Sequence, residues 1–233
     1  MKRLGGGMML ALVGLAVGVG SASAQGLADY DYEHLTFRGV GLEGGYIFPS
    51  IVENTWTAGA RVDLGFLGPG LRFTGGFNYW SSNVSQSVVS EWEQRLIDLV
   101  QPQQPEGSPP IQMDLGTVTW TDYSLTLDAQ FMWEVPLGLL TYAGAGLSAH
   151  FVDGGGEAIE GTFVNDLLSG VRVGINAHAG LEVPLHQRVR LYGLSRFEVM
   201  SDLYYLELRG GLQVFIGSDV PTDQPRRGSG GNR

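Results

Sequence analysis

The sequence predicts an all-β fold, an eight-stranded antiparallel up-and-down transmembrane β-barrel. Three observations predict it. Apolar and polar residues alternate strictly over long stretches, as in Val171–Val183, where every second residue from Val171 is apolar and the intervening ones are Arg172, Gly174, Asn176, His178, Gly180 and Glu182. A period of two is the signature of a strand with one oily and one wet face. The pattern recurs about eight times, at roughly 37–48, 55–67, 70–82, 118–135, 139–152, 171–184, 188–200 and 203–216. These runs exceed the usual globular strand of about five or six residues and suffice for a tilted bilayer span, which takes about 9–11. Finally, the connections alternate in length, with short turns at one end and longer loops at the other, as membrane barrels show.

Composition agrees. The 233 residues include 36 glycines and only 16% charged residues, which suits tight turns and long strands better than a helical enzyme. The absence of cysteine excludes disulfides, thiolate metal sites and a cysteine nucleophile. The formal charge of −10 argues against a nucleic-acid partner, because phosphate binding needs a basic face. Lys2 is the only lysine. Arginine suits paired, partly buried positions, though a genome rich in arginine codons accounts for the bias equally well.

Residues 1–24 read as a secretory signal peptide. Lys2 and Arg3 start it, Met8–Val19 supply a short apolar stretch, and Ala22-Ser23-Ala24 forms a small-x-small cleavage site. Residues 25–35 form an N-terminal lead-in, 36–216 the barrel, and 217–233, rich in Pro, Gly, Ser and Arg, a disordered C-terminal tail.

Gly68-Pro69-Gly70, Val135-Pro136-Leu137-Gly138 and Pro184-Leu185-His186-Gln187 are the expected tight turns. The longer links fall at 49–54, 83–117 and 153–170, with a brief one near 201–202. Aromatic residues mark the band edges. The apolar face of the fourth strand runs from Tyr123 to Trp133, and that of the second from Trp56 to Phe66. Ten residues at about 3.3 Å span roughly 33 Å, or roughly 23 Å of height at a tilt near 45°, close to the 25 Å apolar band of such barrels. Tyr46, Phe48, Trp56, Tyr79, Tyr123 and Phe151 are placed in one aromatic girdle, and Phe66, Phe73, Phe131 and Trp133 in the other.

Alternation alone does not say which face is inside; a soluble lipocalin-like barrel would bury the apolar one. Charges break the tie. Folding each hairpin about its turn sets Glu43 opposite Arg61, Asp63 near Arg72, Glu182 opposite Arg190 and Arg196 opposite Glu207. All are opposite-sign pairs, and a closed interior must pair its ions, whereas an exposed surface gains little by doing so. Glycines crowd the same face. The wet face is therefore expected inward and the oily face toward lipid, with the eight charged residues as structural interior ion pairs.

At this point the chain resembles the small eight-stranded outer-membrane barrels of Gram-negative bacteria, including the OmpA-like transmembrane domain, OmpX-like and opacity-type proteins. The resemblance covers about residues 35–216. It rests on strand count, loop asymmetry and the signal peptide. Arg209-Gly210-Gly211-Leu212-Gln213-Val214-Phe215-Ile216 partly matches the family's closing strand, which the outer-membrane assembly machinery recognises; here 17 residues follow it. The resemblance implies a monomer in the outer membrane, surrounded by lipid and lipopolysaccharide.

Candidate chemistry is sparse. Asp122, Ser124 and His150 converge near the long-loop end and could in principle form a Ser-His-Asp set; a hydrogen-bonded structural cluster is the preferred reading. The lipid A deacylase type of barrel carries a His-x-Ser-Asn run, whereas His150 precedes Phe151-Val152-Asp153. His178 is read as a satisfied core histidine beside Asn176, Arg196 and Glu198. Asp153, Glu157, Glu160 and Asp166 make an acidic loop that matches no calcium-loop spacing. In loop 83–117, Ser90 and Glu93 suggest a capping box, and Val89, Trp92, Leu96 and Leu99 recur at helical spacing. A short amphipathic helix is expected over about 90–101, covering its apolar face on the barrel rim, the lipid interface or an extracellular protein partner. The expectation is a non-enzymatic protein without catalytic residue, cofactor or metal, with a structural or surface-interaction role carried by its loops. A narrow channel for small molecules and a lipid-modifying enzyme are the alternatives.

Overall fold

The computed structural model of the chain describes residues 35–105, 107–201 and 203–216. The expected signal peptide, nearly all of the lead-in and the tail 217–233 lie outside the described residues. Eight strands form: β1 Gly39–Pro49, β2 Thr55–Gly68, β3 Leu71–Asn83, β4 Thr119–Val135, β5 Leu139–Gly155, β6 Gly170–His186, β7 Val189–Met200 and β8 Tyr204–Phe215. Each lies within three residues of its expected bounds. Every neighbouring pair is antiparallel, and β1 pairs with β8 from Gly39↔Phe215 to Pro49↔Tyr205, closing the barrel.

The short turns follow local chemistry. Between β2 and β3, Pro69 sets the first turn position and Gly70 takes φ +78°, the left-handed conformation a type II turn needs at its second central residue. Pro136–Gly138 make a single 3-10 turn between β4 and β5. β6 and β7 join through Gln187 and Arg188.

The wet face points inward. Arg61, Asp63, Arg72, Asp122, His150, Glu182, Glu198 and Glu207 are all at most 5% exposed. The alternating apolar residues face out: Leu42 is 75% exposed, Trp56 75%, Val173 71% and Leu147 61%. In water so continuous an apolar surface would drive association; against hydrocarbon it is the lipid contact of a transmembrane barrel. Aromatic contacts occur along one rim. Tyr46 sits edge-on to both Phe48 and Trp56 at 5.2 Å, and Tyr79 and Tyr123 lie 5.0 Å apart. At the opposite rim Phe131 and Trp133 are exposed on the outer face.

Phe66 departs from the expected girdle. The register of β2 against β3 slips between Asp63 and Phe66, where Gly65 adopts φ +90° and donates its N–H to Asp63 at 2.9 Å. This bulge inserts one residue and reverses the phase that follows it. Phe66 becomes the cross-strand partner of inward-facing Arg72 and lies under the Arg38 guanidinium, 4.9 Å from its ring centroid.

The long loops fold over one end. The helix expected at 90–101 spans α1, Gln86–Val100. It begins earlier than expected, its N-cap is Ser85, and that cap makes no side-chain hydrogen bond. The Ser90–Glu93 capping box does not form, because Ser90 lies inside the helix; Glu93 accepts the backbone N–H of Leu115 at 2.8 Å. A short helix α2, Phe163–Leu168, lies between β5 and β6.

Because Leu147 faces outward midway along β5, between Phe151 and Ala143, Leu147→Arg would place a charge near the bilayer centre. It is expected to destabilise the lipid-refolded protein by about 2–4 kcal/mol, read by denaturant unfolding in vesicles; a water-facing site would change by about 0.5 kcal/mol or less.

Candidate functional site

The barrel interior is a continuous array of ion pairs beneath an apolar lid. At the short-turn end Glu182 is the hub. Its carboxylate accepts from Arg61 at 2.9 Å, from Arg72 at 2.6 Å and from Arg190 at 3.2 Å. Arg72 also lies 3.6 Å from Asp63 and donates to Gln130. The Arg61 guanidinium stacks 3.7 Å from the Tyr192 ring centroid. Further along, Arg209 bridges Glu43 and Glu207, and Tyr192 donates its hydroxyl to Glu43 at 2.8 Å. Arg196 pairs with Asp128, which also accepts from Asn176 at 3.0 Å. Asn176 in turn meets His178 at 2.8 Å.

The eight charged residues singled out from the sequence all point inward, but their pairing differs in part. Asp63–Arg72 and Glu182–Arg190 are brought together. Glu43 and Arg61 are not an ion pair. β1 and β2 are offset so that Glu43 faces Gly59 and Arg61 faces Gly41; Arg61 reaches across the lumen to Glu182, and Glu43 takes Arg209. Arg196 and Glu207 are cross-strand partners, yet their charges bond Asp128 and Arg209 respectively. In so narrow a barrel long side chains choose partners across the lumen as readily as along the wall. Asp128 and Arg209, which complete these pairs, have no opposite charge at a neighbouring register position, so folding the hairpins does not reveal them.

Inward glycines give these side chains room. A Cβ on Gly180 would lie 2.5 Å from the Tyr142 hydroxyl, one on Gly211 2.6 Å from that of Tyr192, and one on Gly146 2.8 Å from the Asn176 amide nitrogen. Real Cβ atoms do not approach so closely, so the interior is packed.

Near the long-loop end, His150 contacts Asp122 through Nδ1 at 2.7 Å and Ser148 through Nε2 at 3.0 Å. The serine is Ser148, not the expected Ser124, which is merely the cross-strand partner of His150. Ser148 stands two residues before His150 on the same strand face, a relation visible in the period of two. The set has the connectivity of a catalytic triad without its setting. Ser148 directs its hydroxyl to Glu198 at 2.5 Å, not to the histidine that a triad uses as its base. Asp122 and His150 are 0% exposed and Ser148 4%. The geometry is that of a sealed structural cluster.

Its seal is apolar. Trp80, Trp120, Val152, Met200 and Tyr205 point inward from the strands and pack with Val52, Val84, Val89, Leu115, Ile159, Leu168 and Leu203 from the loops. Val88, Trp92 and Leu96 of α1 pack against them, which places the helix on the barrel's own rim. Backbone bonds tie the loops together: Ser85 N–H to Ile51 O at 3.0 Å and Val84 N–H to Val118 O at 2.7 Å. No group of three or more His, Cys, Asp or Glu able to hold a metal occurs among the described residues.

No protein-family model matches the chain, and no curated protein matches its sequence. Solved structures match its fold. Neisserial surface protein A aligns over 77% of this chain and 97% of its own, with a TM-score of 0.51 and 12% identity. The attachment invasion locus protein of Yersinia pestis aligns over 78% and 99%, with a TM-score of 0.46 and 9% identity. The N-terminal β-barrel domain of Pseudomonas aeruginosa OprF aligns over 76% and 97%, with a TM-score of 0.42 and 12% identity. The chain thus has the fold of the small outer-membrane β-barrels.

Glu182→Gln would leave three buried guanidiniums around a neutral amide. Removing one partner of a buried ion pair costs about 3–5 kcal/mol, so denaturant unfolding of the variant in detergent is expected to shift by at least that amount. A shift under about 1 kcal/mol would mean that water fills the network.

Proposed function

We propose that the protein is a monomeric, non-enzymatic outer-membrane barrel of the OmpA-like, OmpX-like or opacity type, with a structural or surface-interaction role carried by its long loops. The observation that carries this reading is the lumen itself. Ion pairs and tyrosines fill it, and an apolar lid covers one end. Eight strands leave an interior just wide enough for side chains, which favours a packed post over a diffusion pore. Outer-membrane residence is supported by the apolar belt and by the shared fold.

The long-loop end would face outward and the short turns the periplasm. Two loops stand above the membrane, 84–118 and 156–169. With its apolar face turned down into the lid, α1 presents Glu91, Gln94, Arg95, Asp98 and Leu99 to solvent. This is the surface offered to an extracellular protein partner. Lipid and lipopolysaccharide surround the belt, and the assembly machinery would engage β8.

The competing reading, a narrow channel, is separated by planar-bilayer recording of the refolded protein. The post predicts no steady conductance. A steady open level that changes in Arg196→Ala would overturn it in favour of conduction through the lumen.

A further inference from the structure

With Asp122 and Glu198 both taken as carboxylates, hydrogen-bond bookkeeping gives the charge on His150. Asp122 Oδ2 lies 2.7 Å from Nδ1. Asp122 is read as the carboxylate, an acceptor only, so Nδ1 must carry a proton. Ser148 Oγ lies 3.0 Å from Nε2, but its single hydroxyl proton is directed to the Glu198 carboxylate at 2.5 Å. Toward His150 it offers only a lone pair, so Nε2 must carry a proton too. Glu198 itself stands 3.6 Å from Nε2. Both ring nitrogens donate, which only an imidazolium can do.

The other charges around the ring do not replace this cation. Arg172 of β6 is its cross-strand partner, but it lies over the Trp120 ring, 5.2 Å from the centroid, and donates to Leu168 O at 3.4 Å. Arg196 of β7 is committed to Asp128 and lies 3.7 Å from Glu198. Glu207 of β8 pairs with Arg209. Ser124 of β4 and Tyr205 of β8 are uncharged hydroxyls. Among the described residues, His150 is the cation in ion-pair contact with Asp122.

The position of the cluster links this charge to the lid. Trp80 and Val152 are the cross-strand neighbours of Asp122 on either side, and Tyr205 is that of Glu198. All three belong to the lid core. We propose that His150 is a pH-sensitive latch: as an imidazolium it neutralises Asp122 and holds the lid on the barrel, and loss of its proton leaves one buried carboxylate uncompensated beneath the lid and releases it. Unpaired buried charge is destabilising, and the loop residues above it pack directly on the strands that carry it. A surface loop system would then change shape with external pH while the barrel stays closed.

Two readouts on the full refolded chain test this. Nitrogen-15 NMR of histidine-labelled protein at neutral pH is expected to show both His150 nitrogens protonated; one bare nitrogen would overturn the charge assignment without any variant being made. Hydrogen exchange of the 84–118 peptide, compared with the β4 and β5 peptides at the same pH, reads the lid. His150→Gln is expected to speed lid exchange about tenfold or more with the strands unchanged, and adding Asp122→Asn should restore much of the protection by removing the stranded charge. Equal lid exchange in wild type and His150→Gln, or no rescue by the second change, would overturn the latch. If His150→Gln fails to fold, wild-type exchange across an alkaline series decides instead: lid protection must fall relative to the strands as the NMR signal reports loss of the ring proton, and parallel behaviour would overturn the proposal.

Discussion

The pairing of β1 with β8 is the constraint on which the rest of the structure depends. It turns a two-faced sheet into a tube, and a tube this narrow has an interior that must be filled by its own side chains. Once the wet face is inside, charge neutrality follows as a packing requirement. Among the described residues, seven buried carboxylates (Glu43, Asp63, Asp122, Asp128, Glu182, Glu198, Glu207) meet six buried guanidiniums (Arg38, Arg61, Arg72, Arg190, Arg196, Arg209). The His150 imidazolium brings the count to balance. The inward glycines belong to the same solution, since a long arginine or tyrosine fits across the lumen only where the opposite wall lacks a side chain.

The lid is a second, differently built core. The strands extend past the charged layers, and there their inward residues switch from arginine and carboxylate to Trp80, Trp120, Val152 and Tyr205. The loops bring Val89, Ile159 and Leu168 down onto them. Hydrophobic burial holds this end together, and ion pairing holds the rest.

Most of the barrel was legible in the sequence because a period of two and a Pro-Gly turn are local signals. Strand positions, short turns and the inward wet face all follow from residues near one another in the chain. What was not legible depends on geometry across the lumen or on a single inserted residue. Gly65 gives no local sign that it will bulge, so Phe66 was placed on the lipid face. Glu43–Arg61 looked like a pair between β1 and β2, whereas Arg61 finds Glu182 across the tube and Glu43 finds Arg209 on β8, the strand on its other side. Glu93 resembled a helix cap but reaches a backbone amide 22 residues away. The lid was hidden for a related reason. Its inward apolar residues interrupt no alternation that a one-dimensional reading can assign to top or bottom, and their loop partners are distant in sequence. Ser148 is the exception, a miss that the period of two could have avoided.

Gel mobility of detergent-refolded protein in SDS, unheated against boiled, reads whether the barrel is closed with its charges inside and its apolar face in lipid. A closed membrane barrel resists SDS until heated. Two mobilities are expected, with the unheated species converted to the other on boiling. A single mobility under both conditions, from a chain that is soluble without detergent, would contradict it and put the apolar face inside.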